Sequence, residues 1–203
     1  MRHFRLPFIT GWLYPDALFR LKTDEKILCL TFDDGPDPES TPKLLEILKR
    51  YNTRALFFCD GKAAEMYPYL VEKIVAEGHL VGNHGYNHLN GWITSTREYH
   101  DDVVHASQFT SGKIFRPPYG LLRPGQYQKL RKSYRIIFWD IMPYDFDKNL
   151  DTGRSLEILN RSIRPGSIIV LHDRQDSTAP AFLDEFLDKS LKDGYAFICP
   201  ELQ

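Results

Sequence analysis

The chain has 203 residues, 42% of them hydrophobic and 26% charged, with a formal net charge of −1. That length suits a single domain able to bury a substantial core. A near-neutral balance without a long basic run gives no reason to expect nucleic acid as a partner, and 13% aromatic content fits a carbohydrate-facing cleft and a well-filled core equally.

In chain order, residues 1–25 are expected to form an N-terminal flap packing on the domain formed by 26–203. Arg2 and Arg5 precede an apolar stretch from Leu6 to Tyr14 that Pro7 and Gly11 interrupt. The stretch is too short to span a bilayer. It also lacks the continuous apolar run and small-residue cleavage site of a signal peptide. A weak membrane-surface contact through Phe8, Trp12 and Phe19 is the second reading. Cys29, Cys59 and Cys199 each lie inside an apolar run and none belongs to a C-x-x-C, so buried free thiols are expected. Cysteine usage and the missing signal pattern lead to a cytoplasmic expectation.

From residue 26 onward, short apolar runs alternate with longer segments of helical period. A strand over 26–32 leads to a helix over 41–51, with Pro42 in its first turn and Leu44, Leu45, Ile47 and Leu48 on one stripe. A strand over 54–59 precedes a helix over 63–77 that Gly78 stops. Strands over 79–82, 113–115, 135–139, 167–171 and 195–199 alternate with helices over 96–109, 124–132, 152–162 and 181–193. Several strands are apolar almost throughout, as in a parallel sheet covered on both faces. The pattern predicts an α/β fold, a distorted (β/α)7 TIM-like barrel of parallel strands. In such barrels the chemistry sits at the carboxyl ends of the strands. There this sequence places Asp33, Asp34, Asp60, His84, Arg116, Asp140 and His172.

Adjacent carboxylates at the end of a buried strand repel each other and resist desolvation, so Asp33 and Asp34 need a nearby cation to stay ionised. Neighbours on an extended segment project to opposite sides; one can ligate an ion while the other faces the substrate water. An acidic Asp-Gly-Pro turn is the plain alternative. His84 and His88 are four apart, a spacing that puts two imidazoles on one face of a helical turn and within reach of one ion. His3, His79, His100 and His105 lack that context. Arg116, before Pro117-Pro118, is suited to holding a carboxylate ionised and aimed, and a backbone N–H just beyond the diproline could donate to an oxyanion. His172 leaves a strongly apolar strand, where it can titrate near neutrality, and either Asp140 or Asp145 could orient it.

These residues resemble the NodB-homology polysaccharide deacetylases, carbohydrate esterase family 4. Thr31–Pro36 is similar to that family's T-F-D-D-G-P, His84 and His88 to its H-(S/T)-x-x-H, and Arg116–Tyr119 to its R-x-P-Y. Asp145-Phe146 stands at the end of D-x-x-D-W, and Val170-Leu171-His172 at L-x-H. The resemblance runs from about residue 26 to 199. It implies Asp33 as general base, and Asp34, His84 and His88 as ligands of one divalent ion, expected to be Zn²⁺, with Co²⁺, Ni²⁺ or Mn²⁺ as alternatives. It further implies Arg116 holding Asp33, His172 as general acid held by Asp145, and the Tyr119 N–H as oxyanion donor. Gly85, Met142, Phe146 and Val170 depart from the family pattern and leave the acyl pocket and the substrate open.

The activity implied is N-deacetylation of an acetylated amino sugar in a polysaccharide or oligosaccharide, peptidoglycan-like or chitin-like. A metal-dependent amidohydrolase of small cyclic amides or imides would use much the same core. A non-catalytic sugar-binding module would need no set of base, metal and acid. A purely structural metal site fits less well, because structural zinc usually has four protein ligands and this site offers three. A wall glycan would lie outside the cytoplasm, in tension with the expected location.

Overall fold

Apolar runs buried on both faces become the strands of a parallel sheet in the computed structural model, which describes residues 13–110 and 113–199. The strands are β1 (Ile27–Asp33), β2 (Leu56–Cys59), β3 (Leu80–Asn83), β4 (Ile114–Phe115), β5 (Arg135–Ile136), β6 (Ile168–His172) and β7 (Ala196–Phe197). All seven lie where the sequence predicts strands, and the order in the sheet is β5-β4-β3-β2-β1-β6. The sheet curls toward closure. Beyond Ile136 the chain leaves β4 and reaches β6, where Ile141 pairs in parallel with Ile169. The expected strand over 135–139 is therefore a two-residue ladder followed by irregular extended chain. Leu18 pairs with Ile137 and Arg20 with Ser167, so the segment before β1 fills the gap between β5 and β6.

β7 lies off this path, paired to the start of β1. Ala196 and Ile198 donate to the Lys26 and Leu28 carbonyls, whereas Gly166 on the β6 side donates to Ile27 O. Successive carbonyls of an extended chain point to opposite edges. β7 thus sits on the β2 edge of β1, in line with β2.

The helices are α1 (Thr41–Arg50), α2 (Gly61–Met66), α3 (Pro68–Ala76), α4 (Thr96–Ala106), α5 (Pro124–Leu130), α6 (Thr152–Ser162) and α7 (Ala179–Lys192). The helix expected over 63–77 is two helices. Pro68 has no N–H to donate and its ring crowds the preceding turn, so the chain breaks at Tyr67 (φ −126°, ψ 56°) and restarts. No helix among the described residues is long and apolar enough to cross a membrane. Phe8 and Trp12 lie outside the described residues; Phe19 stacks on Phe138 at 4.7 Å, and Tyr14 packs against Tyr127 and Phe138.

Strand alternation sorts the core into two layers. Leu28, Leu30 and Phe32 pack outward with Leu44, Leu48, Leu183 and Phe186 of the helices. Cys29, Phe58, Ile114, Ile168 and Val170 fill the barrel interior. The same alternation continues the inward row of β1 from Cys29 through Thr31 to Asp33, and that of β6 from Val170 to His172. Asp33 and His172 are register partners. Both therefore arrive at the carboxyl mouth at one level.

Candidate active site

The mouth is a pocket of about 230 Å³ lined by Asp33, Asp34, His84, His88, Tyr119 and His172, with Trp139, Met142, Phe146, Val170 and Arg174 completing its wall. Its two carboxylates face the same space, contrary to the expectation of opposite sides. Asp34 has φ +76°, a left-handed turn that ends the extended segment and redirects the second side chain into the pocket.

A second expectation also changes. His84 and His88 do not sit on a helical turn; they lie in a loop after β3 with Gly85 at φ +83° and His88 at φ +52°. The loop still brings the rings together, with centroids 5.1 Å apart. It is held from α4: the Asp102 carboxylate accepts from the backbone N–H groups of Tyr86 (2.7 Å) and Asn87 (3.1 Å) and from Asn87 Nδ2 (2.7 Å). A Cβ at position 85 would meet Asp102 Oδ2 at 3.0 Å. The glycine that departs from the family pattern thus leaves room for the carboxylate that fixes this loop.

Asp34 Oδ1 lies 3.5 Å from His84 Nε2 and 3.1 Å from His88 Nε2. A small divalent ion bonded at ~2.0–2.2 Å to such donors in a tetrahedron would separate them by about 3.3 Å. The spacing and the donor chemistry fit one ion with three protein ligands. His84 Nδ1 is 2.9 Å from the Arg116 carbonyl, which can only accept, so Nδ1 carries the proton and Nε2 presents its lone pair. Burial would raise the Asp34 pKa, but His84 and His88 hold it well below the usual carboxylate range. Arg174 Nη1, 3.2 Å from Asp34 Oδ2, leaves Oδ1 to the imidazoles.

Asp33 is held differently. Arg116, fully buried, donates from Nη1 to Asp33 Oδ1 (2.7 Å) and Thr31 Oγ1 (2.6 Å), from Nε to Ile137 O (3.2 Å) and from Nη2 to Phe138 O (2.9 Å). The Phe58 ring lies 4.2 Å from the guanidinium carbon. A buried cation is tolerated only when its donors are met in this way.

Asp145, not Asp140, orients His172. Asp145 is fully buried, accepting from His172 Nδ1 (2.9 Å), the His172 backbone N–H (2.8 Å) and Ser177 Oγ (2.7 Å). Asp140 instead binds Arg164 and Ser167 Oγ at the start of β6, away from the pocket. Burial alone would lower the His172 pKa; Asp145, with Asp34 and Asp33 behind it, outweighs burial and raises it to about 9. Tyr119 follows the diproline at φ +59°, and its ring meets His88 edge-on at 4.6 Å. Trp139 lies beneath Gly120, where a Cβ would approach it to 2.5 Å.

The structure thus gathers every predicted site residue: Asp33, Asp34, His84, His88, Arg116, Tyr119, Asp145 and His172. Of the other histidines, His79 accepts the Ala55 N–H and His105 stacks on Tyr86; neither lines the pocket. Sequence reasoning missed Arg174 and Asp102. An arginine two residues after His172 was a signal for the first. Asp102 lies on a separate helix, and no local pattern marks it.

Residues 20–134 match the family model described as Polysaccharide deacetylase. Peptidoglycan-N-acetylglucosamine deacetylase of Bacillus cereus is 31% identical over 190 residues, 89% of this chain and 89% of that protein. Peptidoglycan-N-acetylmuramic acid deacetylase PdaA of Bacillus subtilis is 28% identical over 192 residues, 90% of this chain and 73% of its own length. Among solved structures, the Bc1960 peptidoglycan N-acetylglucosamine deacetylase superposes with a TM-score of 0.87 at 29% identity, covering 95% of this chain and 94% of that one. BA3943 of Bacillus anthracis, a CE4 family pseudoenzyme, also superposes, with a TM-score of 0.82 at 26% identity over 90% of this chain and 66% of its own.

Proposed function

The chain belongs to the polysaccharide deacetylase family, and from that premise we propose that it removes acetyl groups from N-acetylated amino sugars of a peptidoglycan-like glycan by metal-assisted amide hydrolysis. One observation carries this reading: three metal-type donors share a pocket with a carboxylate held by a buried arginine and an imidazole held by a buried aspartate. A binding module needs no such proton-handling pair.

Asp34, His84 and His88 would hold the ion, with zinc as the preferred identity given two imidazoles and one carboxylate. When bound, such an ion polarises a carbonyl oxygen and acidifies water. Asp33, fixed by Arg116, takes a proton from the attacking water. The Tyr119 backbone N–H donates to the oxygen that becomes negative at the tetrahedral stage. His172, with Nδ1 engaged by Asp145, gives a proton through Nε2 to the departing amine, because an unprotonated amide nitrogen leaves poorly. Trp139, Met142, Phe146 and Val170 supply the apolar wall against which an acetyl methyl can rest.

The test is acetate release by metal-reconstituted protein across N-acetylglucosamine oligomers, peptidoglycan fragments and simple cyclic amides. Release from the glycans that chelator abolishes and zinc restores supports the proposal. Hydrolysis confined to cyclic amides would transfer the reading to a small-amide hydrolase, and metal uptake without hydrolysis of any amide to a non-catalytic module.

A further inference from the structure

Arg174 is the one lysine or arginine in the pocket wall among the described residues, and the mechanism gives it no task. It stands two residues beyond His172, on the loop that follows β6. Asp176 holds it with both carboxylate oxygens, accepting from Nε (2.5 Å) and Nη2 (2.8 Å). A two-point fork of this kind fixes the plane of a guanidinium as well as its position. The remaining nitrogen, Nη1, donates to Asp34 Oδ2 at 3.2 Å.

The two oxygens of Asp34 therefore keep different company. Oδ1 faces Nε2 of His84 at 3.5 Å and Nε2 of His88 at 3.1 Å, the spacing of donors around one ion. Oδ2 is already engaged by a cation. An unrestrained carboxylate can turn both oxygens onto a divalent ion. That would take up a position which a catalytic centre has to leave open. Here the second oxygen could join only by giving up a charge-assisted hydrogen bond, and the guanidinium beside it repels a second cation.

We propose that Arg174 is a positioning residue that confines Asp34 to ligation through one oxygen. The proposal rests on the metal centre of the deacetylase reading and adds to it a residue of unusual sign. Losing a group that orients a ligand ordinarily weakens metal binding by about 10–100-fold. Losing Arg174 should instead tighten it, because a repelling charge departs and a second oxygen is released.

The experiment measures zinc affinity by competition with a chelating dye, and the visible absorption of cobalt-loaded protein, for wild type, Arg174→Ala, Arg174→Lys and Asp176→Asn. The Arg174 side chain is 43% exposed, so these variants leave the core intact. Arg174→Ala should bind zinc about tenfold more tightly, the equivalent of one charge-assisted hydrogen bond. Its cobalt absorption should weaken, as it does when the coordination number rises. Arg174→Lys, which keeps a cationic donor, should return both readouts toward wild type, and Asp176→Asn should shift them as Arg174→Ala does, by a smaller factor. Zinc affinity that is unchanged or weaker in Arg174→Ala overturns the proposal, and so does tighter binding with an unaltered cobalt spectrum. Neither readout needs acetate release. A shift in both keeps the role of Arg174 even where wild type hydrolyses no amide, and acetate release with neither shift leaves the deacetylase reading standing without it.

Discussion

The two sides of the pocket are built by opposite means. On the proton-handling side, Asp33 and His172 come off adjacent strands in register, and each is clamped by one fully buried partner, Arg116 or Asp145. On the metal side, Asp34, Gly85 and His88 all adopt positive φ in irregular chain, and the histidine loop is tied to α4 through Asp102. Strand register gives proton-transfer groups a fixed height with little freedom. The ligands need a convergence that no regular element offers, so strained turns aim them and hydrogen bonds from outside the loop stabilise those turns. Damage to the first side should therefore appear as lost chemistry or lost stability, and damage to the second as weaker metal binding.

Asp33→Asn should make the sharpest break, cutting turnover by about 10²–10⁴-fold. Because Asp33 is not a proposed ligand, zinc affinity measured by competition with a chelating dye should stay within a few-fold of wild type. Full turnover in this variant would remove Asp33 as base. Arg116→Ala should come next. It leaves Asp33 buried without its cation, a loss of about 3–5 kcal/mol, read as a lower denaturant midpoint in both metal-free and metal-loaded protein. An unchanged midpoint would mean that water replaces the guanidinium and that the clamp is not what holds the carboxylate.

Asp102→Asn sharpens the contrast from the metal side. It should weaken zinc binding by about 10–100-fold, the usual penalty for losing a residue that positions a ligand, while leaving the midpoint of the metal-free protein nearly unchanged. Equal loss in both measurements would make Asp102 a general stability residue. Asp145→Asn is read through a pH shift with a defined sign. The His172 pKa is raised in the folded metal-free protein to about 9, chiefly because Asp145 outweighs burial. The stabilisation from the charged pair is therefore complete below the unfolded value of ~6.5 and is lost as pH rises through about 9. Removing the carboxylate should move the imidazole titration, followed by NMR of the metal-free protein, to lower pH. The alkaline limb of the activity profile should move the same way. A titration that stays in place would assign the shift to Asp34 and Asp33.

Much of this was legible because strands announce themselves in composition. Apolar runs leading to Asp33, His84 and His172 predicted a ring of parallel strands and put the chemistry at their carboxyl ends. What could not be read was backbone sign and long-range attachment. Nothing in Asp34 or His88 as residue types announces a left-handed conformation, so the two aspartates were expected to diverge and the histidines to share a helical face. Asp140 and Asp145 were indistinguishable until tertiary structure gave Asp140 to Arg164. Pro68 was readable as a helix breaker, and the helical period on both sides of it masked the break. β7 was found, but its place beside β1 depends on which carbonyls β2 and β6 leave unused.

The shortness of β5 has a consequence for the chemistry. A full-length fifth strand would spend the Ile137 and Phe138 carbonyls on ladder bonds to its neighbours, yet here both oxygens accept from Arg116. The seam in the barrel wall thus supplies the oxygen lining that lets a guanidinium live in an apolar interior. A redesign that zipped the seam shut would regularise the scaffold and evict the arginine, and the catalytic carboxylate would lose its anchor.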